Sequence, residues 1–426
     1  MTEEFIHYLW RYKLLKPDLK LVNGEDCKIL DAGTYNPDAG PDFFNARILI
    51  GDTVWAGNVE IHIKSSDWFV HNHHLDKAYE NVILHVVMQN DKTVTGRNGQ
   101  AIPAIEVADV DHSEMFRRYC DFLSNRNWIP CEKLLSRVDR FIINSWLDRM
   151  AIERLEEKAL EIESQLHFNH NNWEQTFYEF LARNFGFKVN SLPFDLLAKS
   201  LPLNILGKHK NHIFQLESLL FGQAGFLNKA FKDAYPRDLT KEYNFLRNKY
   251  NLVPLDSHLW KFMRMRPSNF PTIRIAQFAS LICQSSHLFS RLMEIESLKK
   301  IAELFDASVS DYWKDHFNFD KSSSPRKKTL GKSAIQLILI NTLIPFLFVY
   351  GRNRNELVLI ERSVKFLEQL PGETNGIIRR WEALGLSTRT ALNTQALMQL
   401  KSSYCNRKKC LHCSIGNRLL MDEMNQ

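Results

Sequence analysis

The pattern of hydrophobic and polar residues changes about a quarter of the way along the chain. Up to residue 110, short apolar runs alternate with polar residues at a period of two, which is typical of half-buried strands. The runs predicted as strands are 20–22, 28–32, 43–50, 54–64 and 82–89. Residues 3–15 instead place apolar side chains at helical spacing, so we expect an amphipathic helix before the strands.

A further pair of strands is predicted where an Asn-Gly pair occupies residues 98 and 99. This dipeptide separates strand-like runs at 93–95 and 101–107 and favours a tight hairpin turn. The N-terminal part therefore predicts a compact α/β domain with a mostly antiparallel sheet.

Helical periodicity replaces this pattern after Asp111. The clearest runs are 141–167, 173–185, 214–227, 273–301 and 334–349. We predict an α+β protein with one domain over residues 1–112 and a large all-α region of roughly ten or more helices over 113–426.

Composition narrows the possible classes of protein. The chain has 426 residues, of which 44 % are hydrophobic and 24 % charged, as in ordinary globular proteins rather than disordered chains or disulfide scaffolds. Residues 1–110 hold 10 Lys and Arg against 16 Asp and Glu, and the remainder holds 45 against 33. The basic remainder favours nucleic acid as a partner.

The expected compartment is the cytoplasm. The acidic N-terminus lacks the basic and apolar regions of a secretory signal. The most apolar stretch, 334–350, contains Gln336, Asn341 and Pro345 and is shorter than the ~20 residues needed to cross a bilayer, so no membrane association is expected. Seven cysteines without an export signal fit metal or redox chemistry better than disulfides.

Candidate catalytic residues lie around the predicted hairpin. Glu60, His62 and Lys64 occupy alternate positions of one strand and share a face. Asp42 lies at the start of the preceding strand, and a hairpin would bring it beside Glu60. Two carboxylates at that separation suit Mg²⁺ or Mn²⁺, and a neighbouring imidazole or ammonium can activate water.

Pro41-Asp42, a hairpin and then Glu60-x-His62 resemble the PD-(D/E)XK nuclease superfamily. The resemblance implies a restriction-endonuclease-like mixed sheet with a helix–strand–strand–strand–helix–strand core. It implies that Asp42 and Glu60 bind Mg²⁺ and that His62 occupies the position of the family's lysine, for which Lys64 could substitute. Over its whole length the chain also resembles an uncharacterised bacterial family with no assigned function.

A second polar cluster follows this strand. His71, His73 and His74 are flanked by Asp67 and Asp76, and such a group could bind Zn²⁺ or Mn²⁺ or could contact phosphate. The resemblance places a cleft-facing helix here, which makes four residues candidates for lining the cleft. They are His71, His74, Asp76 and Tyr79. His85, within an apolar strand, is expected to be a hydrogen-bonded sheet residue.

Cys405, Cys410 and Cys413 form a C-x4-C-x2-C pattern. Closely spaced thiolates repel one another unless a metal holds them, and these spacings occur in both zinc and iron–sulfur sites. The resemblance suggests Cys131 as the fourth ligand, because some nucleases of that superfamily join one early cysteine to three late ones. His412 is the local alternative. Cys27, Cys120 and Cys283 are expected to be ordinary core residues.

Arginine and aromatic residues alternate between residues 264 and 274. Arg264, Arg266 and Arg274 are candidates for holding nucleic-acid phosphates, since the guanidinium fork matches phosphate geometry and Phe270 can stack on a base.

The sequence leaves three functions open. The first is a metal-dependent phosphodiesterase acting on DNA or RNA. The sequence does not show whether it has a helicase or a repair protein as partner. The second is a catalytically inactive module that binds nucleic acid or protein and keeps a structural metal site. The third is a zinc hydrolase using His62, His71 and His74 on a small substrate.

Overall fold

The computed structural model describes residues 1–15, 19–97, 99–107, 113–284, 287–306 and 308–421. Its strands are β1 (Leu19–Lys20), β2 (Asp26–Asp31), β3 (Thr34–Tyr35), β4 (Phe43–Ile50), β5 (Thr53–Lys64), β6 (Val82–Gln89), β7 (Ala104–Glu106), β8 (His316–Asn318) and β9 (Lys321–Ser322). Its helices up to residue 250 are α1 (Glu3–Arg11), α2 (Asp67–Val70), α3 (Ser113–Ser124), α4 (Arg140–Phe168), α5 (Trp173–Phe185), α6 (Phe187–Ser200), α7 (Leu203–Lys208), α8 (Ile213–Gln223) and α9 (Ala234–Tyr250). Those that follow are α10 (Pro271–Gln284), α11 (Leu288–Glu294), α12 (Leu298–Leu304), α13 (Asp311–Lys314), α14 (Lys332–Ile338), α15 (Ile344–Arg354), α16 (Leu357–Gln369), α17 (Gly376–Ala383), α18 (Ala391–Gln399) and α19 (Ser414–Met421).

The chain forms two compact units. The first contains residues 1–146 and the C-terminal residues from 401 onward, and the second contains residues 147–400. The sequence placed a domain boundary after residue 112, where the strands end along the chain, and residues 108–112 lie outside the described part. Helices α3 and α19 nevertheless belong to the first unit, since α19 packs against α3.

A mixed sheet forms the centre of the first unit. Its strand order is β1-β2-β4-β5-β6-β7, with β3 paired to β4. Strands β2, β4 and β5 are antiparallel neighbours, whereas β6 runs parallel to both β5 and β7. The N-terminal mixed sheet followed by many helices confirms the predicted α+β class. Of the predicted hairpin at 93–107, one antiparallel bridge joins Thr95 to Ala101, and its turn residue Asn98 lies outside the described residues.

The hairpin of β4 and β5 positions the candidate site. In β4 the side chains of Phe43, Ala46 and Ile48 are buried, so register is fixed by the apolar face. Phe43 pairs with Val59. This pairing places Asp42, which directly precedes β4, beside Glu60, which follows Val59 in β5. Strand β5 has 12 residues and therefore extends past β4 to pair with β6.

Helix α1 covers this sheet. Phe5, Leu9 and Trp10 are fully buried, and α1 contacts β5. The indole nitrogen of Trp10 donates a hydrogen bond to the carbonyl of Ala32 at 2.9 Å. Burying each such side chain contributes roughly 1.5–3 kcal/mol, which fixes the helix and hence the direction of its polar residues.

The second unit is helical apart from the β8–β9 hairpin, in the part of the chain that the structure describes. Its core joins Phe278 on α10, Phe194 on α6 and Trp313 on α13, all almost fully buried. The predicted helix at 173–185 coincides with α5, whereas the predicted run 273–301 is broken into α10, α11 and part of α12, with residues 285–286 outside the described part.

The apolar stretch at 334–350 forms a longer helix than the sequence predicted. A π-helical segment, Leu339–Leu343, joins α14 to α15, so the helix runs without a break from Lys332 to Arg354. By length and composition this stretch is apolar enough to cross a membrane, and 72 % of its apolar window is buried inside the protein.

The packing of α8 against α9 generates a stability prediction. A Cβ atom at Gly222 would lie 2.0 Å from the ring of Tyr243, whereas a Cβ at Gly207 would meet nothing within 4 Å. We expect Gly222→Ala to destabilise the protein by about 1–3 kcal/mol through overpacking. Gly207→Ala, the matched control, should stabilise by up to about 1 kcal/mol because alanine favours helix. Urea unfolding measures both, and equal effects would contradict the predicted close contact.

Candidate functional site

Asp42 and Glu60 meet at the mouth of the β4–β5 hairpin, as the sequence predicted. The backbone N–H of Asp42 donates to Glu60 Oε2 at 3.2 Å, and the backbone N–H of Ile61 donates to Asp42 Oδ2 at 2.9 Å. The two reciprocal bonds hold each carboxylate against the other strand. This arrangement leaves Glu60 Oε1 directed to the histidines described below.

Glu60 is only 5 % exposed. Burial and the neighbouring charge of Asp42 raise the pKa of Glu60 to about 9, although the backbone hydrogen bond from Asp42 acts in the opposite direction. A buried carboxylate next to a second one is costly to ionise unless a cation lies beside it. The site therefore favours either a proton or a positive charge at Glu60.

Two imidazoles contact Glu60, and a third contacts one of them. His62 Nε2 lies 3.5 Å and His73 Nε2 3.2 Å from Glu60 Oε1, and His62 Nε2 lies 3.1 Å from His71 Nδ1. The potential ligand atoms of His62, His71 and His73 all lie within 4.8 Å of one another. The contact between His73 and Glu60 lacks hydrogen-bond alignment, so His73 Nε2 has no hydrogen-bond partner.

The three separations of 3.1–3.5 Å are close to the edges of a metal coordination polyhedron. Ligand atoms bound tetrahedrally to Zn²⁺ at ~2.0–2.1 Å are separated by about 3.4 Å. Imidazole nitrogens suit Zn²⁺ and other transition metals, whereas Mg²⁺ prefers an all-oxygen shell. The donor set of three histidines and one carboxylate therefore fits Zn²⁺ or Mn²⁺ better than the Mg²⁺ expected from two carboxylates alone.

The environment of His62 favours its neutral form. Burial, with smaller contributions from the neighbouring histidines, lowers the pKa of His62 to about 2, and burial lowers that of His85 to about 4. His62 Nδ1 and His85 Nε2 share a hydrogen bond of 2.8 Å, which orients the ring as a supporting partner does for a metal-bound histidine. His85 is thus a hydrogen-bonded sheet histidine through Nε2, in line with its sequence-based interpretation, whereas its buried Nδ1 has no hydrogen-bond partner.

Helix α1 adds groups that the sequence reasoning missed. His7 Nε2 lies 3.2 Å from Asp42 Oδ2. Burial by itself lowers the pKa of His7, but Asp42, with Glu3 and Glu60 more distant, outweighs burial and raises the pKa above its ordinary value. Glu3 interacts with Asp42 electrostatically, and burial raises its pKa. The sequence signal that could have identified these two residues is their i,i+4 spacing on one face of an amphipathic helix.

The other predicted cleft residues divide into two groups. Tyr79 is buried and stacks on His73 at 3.8 Å between ring centroids. His74 instead packs its ring 5.2 Å from that of Phe69, so His73 occupies the place in the cluster predicted for His74. Asp76 accepts a hydrogen bond from the backbone of Ala78 at 2.9 Å and caps a short 3₁₀ turn.

Lys64 lies at the exposed end of β5. Its backbone N–H donates to Asp67 Oδ2 at 2.9 Å, which fixes the start of α2. The position two residues after Glu60, where the resemblance expects a lysine, is held by His62, which is 1 % exposed. A charged lysine at that depth would require an ionised partner, whereas a neutral imidazole does not.

Of the predicted nucleic-acid-binding arginines, Arg274 is not available to phosphate. It is 7 % exposed on α10 and donates to Gln277 Oε1 at 3.0 Å and Asn269 Oδ1 at 2.6 Å. Its guanidinium also lies 4.6 Å from the ring centre of Phe187. The prediction for Arg274 is therefore wrong, because α10 is buried on nearly every side. Arg264 and Arg266 are exposed.

The comparisons with known proteins place the chain without assigning it a function. No curated protein and no solved structure shows detectable similarity to it. A family model described as a protein of unknown function (DUF2851) matches residues 3–376, a range that contains the β4–β5 hairpin, the histidine cluster and most of the helices. The chain therefore belongs to the DUF2851 family.

Proposed function

We propose that the first unit is a divalent-metal-dependent hydrolase that cleaves phosphodiester bonds in nucleic acid. Glu60, His62, His71 and His73 hold the ion, which we expect to be Mn²⁺ or Zn²⁺. The observation that carries the proposal is the group of three imidazole nitrogens and one carboxylate oxygen, separated by 3.1–3.5 Å along its measured edges. Well-packed hydrophobic residues often replace a buried polar group of this kind without loss of stability, so its presence favours a functional role.

Three features support a phosphodiester as substrate. Asp42 adds a second carboxylate beside Glu60, as the resemblance to PD-(D/E)XK nucleases implies. If the two-residue strands β1 and β3 are left out, the element order α1, β2, β4, β5, α2, β6 follows the helix–strand–strand–strand–helix–strand sequence of that core. The excess of positive charge after residue 110 suits a polyanion. A zinc hydrolase with a small substrate uses the same ligands, so the substrate assay separates the two.

The side chains around the cluster have separate tasks. When bound, the divalent ion supplies Lewis acidity and lowers the pKa of water. Asp42 holds His7, whose raised pKa suits it to donate a proton to the leaving oxygen. Trp68 and Tyr79 pack against His73, fixing its ring and excluding water from that side.

Replacing the central carboxylate should abolish activity. In Glu60→Gln the side chain keeps its shape but loses its charge, so we expect phosphodiesterase activity to fall at least about 100-fold and metal binding to weaken about 10–100-fold. Hydrolysis of single- and double-stranded DNA and RNA with Mn²⁺ or Zn²⁺ measures the first effect, and calorimetry measures the second. His74→Gln, outside the cluster, is the matched control and should retain activity.

Three results would overturn this assignment. Full activity in Glu60→Gln would exclude the site. Tight metal binding by a wild-type protein that hydrolyses none of the substrates would favour the inactive binding module. Cleavage of small esters without cleavage of nucleic acid would favour the zinc hydrolase.

Metal affinity should rise with pH. Because the pKa of Glu60 is raised to about 9 in the metal-free protein, the carboxyl holds a proton below that pH, and a divalent cation must displace it. Between pH 6 and 8 we therefore expect affinity to increase up to about tenfold per pH unit, with one proton released from Glu60. Calorimetry in two buffers of different ionisation enthalpy counts the protons, and Glu60→Gln should release about one fewer.

His7 should affect the reaction more than the binding of metal. We expect His7→Gln to lower kcat about 10²–10⁴-fold, as loss of a general acid does, and to change metal affinity less than twofold. The basic limb of the pH–rate profile should disappear in His7→Gln. In Asp42→Asn, which removes the charge that raises the pKa of His7, that limb should move to lower pH. An unchanged profile in both variants would assign His7 a purely structural role.

A further inference from the structure

The second unit contains a large cavity that the proposed hydrolase does not use. Its volume is about 940 Å³, within the range of roughly 300–1,000 Å³ found for small-molecule sites. The walls are formed by α5, α7 and α10 together with the end of α4, the end of α6 and the start of α11. All of its lining residues fall within 147–400, so the cavity is contained in one compact unit.

Apolar side chains form the floor of this cavity. The buried ones are Phe177, Tyr178, Leu181, Phe278 and Ile282. The rings of Tyr178 and Phe278 are stacked, with their centroids 5.8 Å apart. Half-buried Leu203 on α7 and Leu288 on α11 add to the lining, so four helices contribute apolar side chains to it.

Hydrogen bonds from α5 brace the walls. Gln175 Oε1 accepts a hydrogen bond from the backbone N–H of Leu203 at 2.9 Å, which joins α5 to the start of α7. The hydroxyl of Tyr178 donates to the carbonyl of Leu201 at 2.9 Å, just after the end of α6. The polar groups of these two lining residues therefore hold the helices apart, and the cavity is formed before a ligand arrives.

The wall also contains Gly207 on α7. A Cβ atom there would meet nothing within 4 Å, so a larger residue has room at this position. Filling such space with apolar side chains generally stabilises a protein. A sequence that leaves the space open keeps apolar surface uncovered, which favours a function for the cavity.

The Lys and Glu residues that line the cavity balance one another in charge. They are Lys199, Lys210, Glu174 and Glu179. Lys199 Nζ lies 2.8 Å from Asp195 Oδ2, and Lys210 also interacts with another group of the protein. Glu174 Oε1 accepts a hydrogen bond from the hydroxyl of Ser290 on α11 at 3.1 Å. Both lysines and this glutamate are therefore already partnered.

Glu179 is the most buried of these charged groups, with 4 % of its surface exposed. Its Oε1 accepts a hydrogen bond from Gln175 Nε2 at 2.7 Å. Its Oε2 accepts from Gln165 Nε2 and Asn169 Nδ2, both at 2.9 Å. Three neutral amides thus solvate the carboxylate inside the protein. An anionic ligand would be repelled by it, and a cationic ligand would have to compete with the amide donors.

We propose that this cavity binds a neutral small molecule with an apolar, ring-containing body. Neutrality follows from the balanced and already partnered charges, since a charged ligand would lose its hydration without gaining an ion pair. The preference for rings follows from Phe177, Tyr178 and Phe278, because aromatic pairs attract one another beyond the effect of burial alone.

Fluorescence titration of the full chain with three related probes tests the ligand class. Anilinonaphthalene is neutral, anilinonaphthalene sulfonate has the same rings with a negative charge, and a naphthalene bearing a trimethylammonium group is positive. We expect anilinonaphthalene to bind at one site per chain, at least about tenfold more tightly than either charged probe. The charged probes are measured by their ability to displace it.

Two variants fill the cavity from different walls. Leu203→Trp on α7 and Leu288→Trp on α11 should each weaken anilinonaphthalene binding at least about tenfold, because the indole takes the space of the probe. The matched control is Leu192→Trp on α6, where the side chain is 62 % exposed and does not line the cavity. It should bind the probe as the wild type does, and urea unfolding checks that all three variants fold.

Tighter binding of either charged probe would overturn the assignment of a neutral ligand. No binding by the wild type, or unchanged binding in both folded cavity variants, would overturn the cavity as the site. Because probe binding requires neither metal nor hydrolysis, these outcomes are independent of the proposed activity of the first unit.

Discussion

The interaction on which the candidate site depends is the burial of Glu60 beside Asp42. Two carboxylates brought together by reciprocal backbone hydrogen bonds repel each other in a poorly hydrated environment, and only a proton or a cation relieves this repulsion. Burial lowers the pKa of His62, so this imidazole supplies a lone pair rather than charge. A divalent ion beside the carboxylate would meet both conditions, because it would neutralise Glu60 and accept the imidazole nitrogen as a ligand. The hairpin, the parallel strand β6 and the short segment after α2 together keep these groups at fixed distances.

Helix α1 connects this site with the C-terminal residues of the first unit. Its buried face packs on the sheet, and the adjacent face carries Glu3 and His7 toward Asp42. Glu4 contacts His412 and Tyr119. Helix α1 is thus restrained by Tyr119, more than a hundred residues away along the chain, and by His412, about four hundred residues away. Such long-range contacts explain why the C-terminal residues from 401 belong to the first compact unit although the chain leaves that unit after residue 146.

The sequence predicted the strands of the hairpin, the convergence of Asp42 with Glu60 and the shared face of Glu60 and His62. The shared face follows from alternation along one strand, and the convergence follows from the pairing of two strands that are neighbours in the chain. His73 and His74 were harder to distinguish, because they occupy a short 3₁₀ turn preceded by Asn72 in the left-handed region. The direction of a side chain in such a turn depends on its packing, and here Phe69 holds His74 while Tyr79 holds His73.

By itself, the sequence determined the α+β class, the position of the carboxylate pair and the grouping of the three late cysteines, since all three depend on local spacing. Only the tertiary structure decided that His7 joins Asp42 and that Arg274 is buried. It also decided that Lys328, the last residue of a basic run that begins at Arg326, is buried and donates to the carbonyls of Trp313 and His316. Periodicity reports which residues share a face of one element, but packing between elements distant in the chain decides what that face meets.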